Sequence, residues 1–362
     1  MKIKRDEYNT VKTEEKPDVL RIENLHTYFY TREGVVKAVN GVSLSVKEDS
    51  VLGVVGESGA GKSVMALSLL RLVPHPGRTV EGGVYFQGRD LLKIGDEELL
   101  RVRGKDIAMI FQDARGSLNP IETIGDQIME ILLAHSLMSI RDARELAETE
   151  GILSSPRLAS GTMSHVEARA RTMDLLRELE LPEPIFKQYP HQLSGGMAQR
   201  AMIAMATAWQ PKVLIADEPT SNLDMTIQAD VLARLKRIRA EKHSTMIIIT
   251  HNMGVIAQVA KEVAVMYAGM VVEYADTPSL FQRPYHPYTW ALLQTIPRLD
   301  EPKRSLRSIR GTTPDPIDLP DLCPFLPRCP KATNVCRLSP QPPLREIEPG
   351  HSVACYNEIT YG

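Results

Sequence analysis

Apolar and polar residues follow two different rhythms along this chain. From Asp18 to Val46 they alternate: Leu20, Ile22 and Leu25, then Val35, Val39, Val42, Leu44 and Val46, with Gly34 and Asn40-Gly41 supplying turns. Alternation of this kind predicts an antiparallel sheet with one buried face. Other runs are apolar throughout: Val51–Val55, Ile107–Phe111, Val213–Ala216, Met246–Ile249 and Val263–Tyr267. Each is short and bounded by turn residues, which predicts buried strands. The last of them pairs through Ala268-Gly269 with Met270–Glu273 as a closing hairpin. Helical periodicity fills the spaces between. Val64–Arg71 reads as one helix, Ala198–Trp209 as another, and Ile227, Val231, Leu235 and Ile238 mark one face of a third. Residues from about 121 to 192 read as mostly helical, with a buried stripe at Val166, Ala170, Met173, Leu176 and Leu179 and a stop at Pro182 and Pro184. Strands alternating with helices predict an α/β fold.

Three stretches break the pattern. Residues 1–17 are charged and poor in apolar positions, and read as a disordered tail. Between about 139 and 163 the sequence is polar and weakly periodic, a loop or loosely helical insert. Fifteen prolines follow Asp276, which rules out long regular elements and predicts a separate, loop-rich module over 276–362 with little core of its own.

Chemistry enters at the first buried strand. Val51–Val55 runs into Gly56-Glu57-Ser58-Gly59-Ala60-Gly61-Lys62-Ser63, and Val64 opens a helix. A strand, a glycine-rich loop and a helix N-terminus form a polyphosphate cradle: the glycines allow close approach, and the loop N–H groups and helix dipole face the anion. Lys62 reaches the β- and γ-phosphates, and the Ser63 hydroxyl is placed to ligate Mg²⁺. Three other strands end in polar residues: Gln112, Asp217-Glu218 and His251. In α/β folds ligands bind at that end of the strands. Asp217 suits Mg²⁺ and Glu218 suits polarisation of an attacking water. Leu193-Ser194-Gly195-Gly196-Met197, ahead of a helix, is a second anion-site candidate. Asp224 is either a helix N-cap or part of a site. Among Tyr28, Phe29 and Tyr30, an aromatic ring serves either the core or an adenine base.

Bulk properties narrow the class. A net charge of −2 over 362 residues gives no global argument for nucleic acid. No apolar run approaches the ~20 residues that span a bilayer, and the N-terminus lacks a signal-peptide core, so an intracellular protein is expected. The four cysteines, Cys323, Cys329, Cys336 and Cys355, all fall near the end. Such clustering in a reducing compartment points to metal rather than disulfides, although no CxxC knuckle is present.

Taken together, the phosphate loop, Gln112, Leu193–Met197, Asp217-Glu218, Ser221–Asp224 and His251 resemble, in order, the motifs of the ATPase subunit of ABC transporters, over roughly residues 20–275. The resemblance implies a P-loop NTPase core with an antiparallel β subdomain, a helical subdomain at about 121–195 and an ATPase domain at 18–275. It implies Phe29 under adenine, with Tyr28 one residue out of register as the alternative. Gln112 would sense Mg²⁺ and the attacking water and couple to the membrane subunit, and His251 would contact the γ-phosphate. Ser194, Gly195, Gly196 and Asp224 would serve the head-to-tail interface of two ATPase subunits, which shares the bound ATP. Departures are mild: Met197 replaces a common Gln, and Glu48-Asp49-Ser50 lacks the usual Gly. The segments Tyr285–Thr289, Arg310-Gly311, Cys323–Pro330 and Gly350–Cys355 resemble the C-terminal extension of oligopeptide/dipeptide importer ATPases, with Leu322 where Gly is usual. In that subfamily the four cysteines can hold a 4Fe–4S cluster; zinc and free structural thiols are the alternatives. The implied partners are a second ATPase subunit, in a heterodimer with a homodimer as the alternative, two membrane permeases and an extracytoplasmic peptide-binding protein, with the chain on the cytoplasmic face of the inner membrane and no nucleic acid. Nickel and sugar are alternative cargoes. A soluble ATPase switch whose cysteine module binds nucleic acid or a protein is the alternative function.

Overall fold

The computed structural model describes residues 17–149, 163–221, 223–296, 309–317 and 319–361, with side chains in the helix at 124–149 described only to residue 137. The expected tail (but for Pro17) and residues 150–162 of the expected insert lie outside these. Strands β1 (Asp18–Tyr30) and β2 (Val35–Lys47) form the predicted hairpin, and β3 (Val51–Val55) leads through the phosphate loop into α1 (Lys62–Leu69). Next come β4 (Gly77–Phe86), β5 (Arg89–Asp90), α2 (Asp96–Val102), β6 (Ile107–Ile110), α3 (Ala114–Ser117), α4 (Ile124–Thr149) and α5 (His165–Glu178). The chain returns through α6 (Gly195–Thr207), β7 (Val213–Asp217), α7 (Met225–Lys242), β8 (Thr245–Thr250), α8 (Met253–Val259), β9 (Glu262–Tyr267) and β10 (Met270–Asp276). It closes with α9 (Thr277–Gln282), α10 (Pro287–Leu293), α11 (Asn334–Leu338), β11 (Arg345–Glu348) and β12 (His351–Val353).

Two sheets result. One is antiparallel, in the order β2-β1-β4-β5; the other runs β11-β12-β10-β9-β3-β8-β7-β6. In the second, β9, β3, β8, β7 and β6 are parallel neighbours. Their uninterrupted apolar sequences follow from burial on both faces, with successive side chains pointing to opposite sides. Leu52, Val54, Ile215 and Ile249 pack with Leu20, Ile22 and Val42 between the two sheets. Val55, Leu214, Ala216 and Ile248 pack on the other face with the helices, against Leu176, Met202 and Leu235. β3 therefore runs through the middle of the molecule, and its C-terminal end delivers the phosphate loop.

The expected stripe on α5 needs correction. Val166 is 79% exposed and Ala170 lies outside too, while Ala168, Thr172, Met173, Leu175, Leu176 and Leu179 are buried. Thr172 is polar, but its hydroxyl donates to the Ala168 carbonyl at 2.8 Å and so enters the core satisfied. Ser164 and Glu167 cap this helix reciprocally. Helix α4 continues to Thr149, so residues 139–149 are regular helix. The non-glycine turn at Asp49 also has an explanation. Asp49 sits at φ 51°, a region that Asp tolerates, and Arg239 donates to both its carbonyl and its carboxylate, at 2.6 and 2.8 Å.

The proline-rich C-terminus is not the separate module expected. β12 pairs with β10 (Glu273 with Val353, Tyr274 with Ser352) and extends the main sheet. Tyr288 and Phe325 are fully buried in the main core. The seam is polar as well as apolar. The Glu273 carboxylate, wholly buried, accepts from the backbone N–H groups of Tyr285 (2.6 Å) and His286 (2.9 Å) and from His351 Nε2 (2.8 Å). Proline excludes long elements, but a three-residue strand needs only a sheet edge to join.

Candidate functional site

Two glycines fix the path of the phosphate loop. Gly61, the N-cap of α1, has φ 92°, and a Cβ there would lie 2.1 Å from the Ala38 carbonyl oxygen of β2. At Gly56, φ is 156° and a Cβ would lie 2.2 Å from the Met266 carbonyl of β9. Only glycine meets both demands. The loop is thereby pressed between the two sheets. Lys62 is buried, and its Nζ donates to the carbonyls of Gly56 and Glu57, each at 2.9 Å. That leaves a third N–H for an anion. Burial lowers the Lys62 pKa, while Glu218, Asp217 and Glu57 act in the opposite sense.

The carboxylates arrive from β7. Asp217, its last residue, is buried and accepts a hydrogen bond from Ser63 Oγ at 3.0 Å. Burial raises its pKa and the Glu218 charge adds to the rise, against the Ser63 bond and Lys62. Glu218 leaves the strand sharply: its φ is 46° and its N–H donates to the Ile249 carbonyl at 2.8 Å. Its carboxylate meets His251 Nδ1 at 3.0 Å. Ser58 to Val64 line an open cleft of about 360 Å³, joined by Phe29, Gln112 and Glu218. A serine hydroxyl beside a carboxylate at the mouth of a phosphate cradle is a hard-oxygen pair that fits Mg²⁺, an ion that keeps much of its water and takes substrate phosphates as further ligands.

Comparison with known proteins decides the family. Residues 39–221, half of the chain, match the family model described as ABC transporter. The chain belongs to the ABC transporter ATPase family. Residues 272–336 of this ABC ATPase match a second model, described as oligopeptide/dipeptide transporter, C-terminal region. It is 43% identical over 347 residues to a probable peptide ABC transporter ATP-binding protein of Sinorhizobium fredii, covering 94% of this chain and 96% of the relative. It is 42% identical to a dipeptide transport ATP-binding protein of Bacillus subtilis, covering 93% and 94%. An oligopeptide transport ATP-binding protein of Escherichia coli is 40% identical, with 94% of each chain covered. Among solved structures, an ATP-binding cassette seen as a dimer in a post-hydrolysis state, bound to ADP and Pi, superposes with a TM-score of 0.60 at 26% identity, covering 71% of this chain and 98% of the other.

Not every expected residue of the ABC ATPase lines the cleft. Tyr28 does not: its hydroxyl donates to Asn40 Oδ1 at 2.8 Å, leaving Phe29 as the aromatic at the cleft. His251 reaches it through Glu218. Asp224 caps α7, accepting from the N–H groups of Thr226 and Ile227 at 3.1 and 3.0 Å. Ser194 caps α6; it and Gly195 are exposed, and Gly196 packs under Ile227. Glu57 turns the other way. Its N–H donates to the Tyr288 hydroxyl at 2.8 Å, and its carboxylate accepts two bonds from the Arg328 guanidinium at 2.6 and 3.0 Å. Pro316 also lines the cleft. Sequence reasoning missed Tyr288, Arg328 and Pro316 as site residues. The only signal for Tyr288 and Arg328 was the resemblance of the segments at 285–289 and 323–330; Pro316 had none.

The cysteine expectation also needs correction. Cys323, Cys329, Cys336 and Cys355 are free thiols lining one pocket with Phe325 and Leu326, but the space between them is about 20 Å³, room for roughly one water. Among the described residues no group of three or more His, Cys, Asp or Glu side chains could hold a metal ion. In this arrangement the pocket has no room for a 4Fe–4S cluster, and the thiols are not grouped as a metal site. Burial pushes the thiols of Cys323 and Cys355 up to about 11. No helix among the described residues is long and apolar enough to cross a membrane.

Proposed function

We propose that this ABC ATPase hydrolyses ATP to drive peptide import through a membrane transporter. The observation that carries hydrolysis is the run Ser63–Asp217–Glu218–His251 at the mouth of the phosphate loop. In this reading the loop N–H groups and Lys62 bind the β- and γ-phosphates, and Phe29 stacks on the base. Ser63, Asp217 and Gln112 would hold Mg²⁺, which neutralises charge on the phosphates when bound. Glu218 accepts the proton of the attacking water, and His251 holds its carboxylate in place. The exposed Ser194 and Gly195 face a second ATPase subunit, whose nucleotide they would close; Asp224 supports that edge. Closure and release on hydrolysis then drive two permeases fed by a peptide-binding protein at the cytoplasmic membrane.

Peptide cargo rests on the match at 272–336 and on the relatives' names. Uptake of a labelled dipeptide and a labelled oligopeptide by cells carrying the wild type or Glu218→Gln tests it. Loss of peptide uptake in the variant is expected; intact peptide uptake with loss of nickel or sugar uptake would overturn the cargo. The finer reading of the cysteines, a 4Fe–4S cluster, rests only on four thiols sharing a pocket, and it requires the pocket to widen and the thiols to ionise. Iron and sulfide analysis of anaerobically purified full chain, with Cys329→Ser alongside, tests it: iron and sulfide present in the wild type and lost in the variant support it, and their absence from both removes it.

A further inference from the structure

An acid inside an anion cradle is a conflict. Glu57 is the one acidic side chain between Gly56 and Ser63, and its charge acts on Lys62. Unneutralised, it would repel the phosphates the loop must take. It is neutralised from 271 residues away. Arg328 Nη1 donates to Glu57 Oε2 at 2.6 Å and to the Tyr267 hydroxyl at 3.1 Å, Nη2 to Glu57 Oε1 at 3.0 Å, and Nε to the Arg310 carbonyl at 3.0 Å. The Arg328 side chain is only 5% exposed. Two parallel bonds to one carboxylate fix its plane as well as its charge, and the rings of Tyr267 and Phe325 lie 5.9 Å from the guanidinium carbon. Tyr288 holds the Glu57 N–H from the same side. The Arg310 carbonyl opens the segment that places Pro316 at the cleft and bridges Ile317 to Val36 of β2. One guanidinium thus ties the phosphate loop to β9 and to a wall of the nucleotide cleft.

We propose that Arg328 is a positioning residue for ATP, neutralising and orienting Glu57 so that the phosphate loop accepts the β- and γ-phosphates. The proposal rests on the ATP-binding reading of the loop. The test is equilibrium binding of Mg-ATP and of AMP to the full chain as wild type, Arg328→Lys, Arg328→Ala and Arg328→Ala/Glu57→Gln. ATP binding is expected to weaken by about tenfold or more in Arg328→Ala, with AMP within about twofold. Lysine keeps the charge without the fork, so Arg328→Lys falls between. Removing the Glu57 charge in the double variant restores most of the ATP affinity, which a purely structural role would not do. The proposal is overturned by unchanged ATP affinity in Arg328→Ala, by equal loss for ATP and AMP, or by a double variant no better than the single. A wild type that binds no ATP would instead overturn the reading of the loop itself.

Discussion

The phosphate loop has a front and a back, and they are built differently. At the front, Ser63, Asp217, Glu218 and His251 come from the ends of parallel strands and the start of α1. At the back, Glu57 is gripped by Tyr288 and Arg328, and the seam behind them is closed by the buried Glu273 with His286 and His351. Front contacts hold groups that must act on a ligand, so their charges are left partly unbalanced: two carboxylates face one lysine. The back has the opposite character. Its charges are paired, bidentate or buried with several donors. Loss of a front group should therefore appear in turnover, and loss of a back group in stability or nucleotide affinity.

The largest effect expected is at the front. Glu218→Gln keeps ATP binding but lowers steady-state hydrolysis by about 10²-fold or more; near-normal turnover in a phosphate-release assay would remove Glu218 as the base. At the back, Glu273→Ala leaves two buried donors, on His286 and His351, and the half-buried Tyr285 N–H without an acceptor. It should lower unfolding free energy by about 3 kcal/mol or more in denaturant titration, and a change under 1 kcal/mol would show that the seam is not a stability element. The seam should also sense acid. His286 is buried with Phe325 against its ring and Glu273 accepting its backbone N–H, and burial alone lowers its pKa to about 3. The unfolded chain protonates this histidine near pH 6.5 and the folded one does not. Its contribution is complete above pH 6.5 and declines as pH falls toward 3, by about 1 kcal/mol per pH unit. Unfolding measured from pH 7 to 5 in wild type and His286→Asn checks this; identical slopes would refute it. The smallest effect is at Asp224. Asparagine caps as well as aspartate, so Asp224→Asn should change stability by no more than about 0.5 kcal/mol. Any loss of ATPase in that variant then reports on an interface charge rather than on the cap.

The front was legible in the sequence because its signals are local. A glycine-rich loop after an apolar strand carries its own geometry, and polar residues closing apolar runs mark the strand ends that face a ligand. The two-rhythm pattern of the strands likewise translated directly into one half-buried sheet and one doubly buried sheet. The back was illegible because it depends on partners far apart in the chain. Nothing near Arg328 announces Glu57, and nothing near His351 announces Glu273. Proline density suggested a detached module, yet three residues of strand and two aromatic rings bind the C-terminus to the core. Val166 departs from its expected burial because apolar character alone does not place a residue inside, and Thr172 is buried because its hydroxyl bonds within its own helix.

The 271-residue separation of Glu57 and Arg328 also sets an order of events in synthesis. At about 5–20 residues per second, the phosphate loop leaves the ribosome roughly 15–55 s before the arginine that neutralises it. During that interval the nascent chain carries the signature of a nucleotide site with its own acid unopposed. Completion of the C-terminus is then the step that pairs the Glu57 carboxylate with its guanidinium and makes the loop ready for its anion.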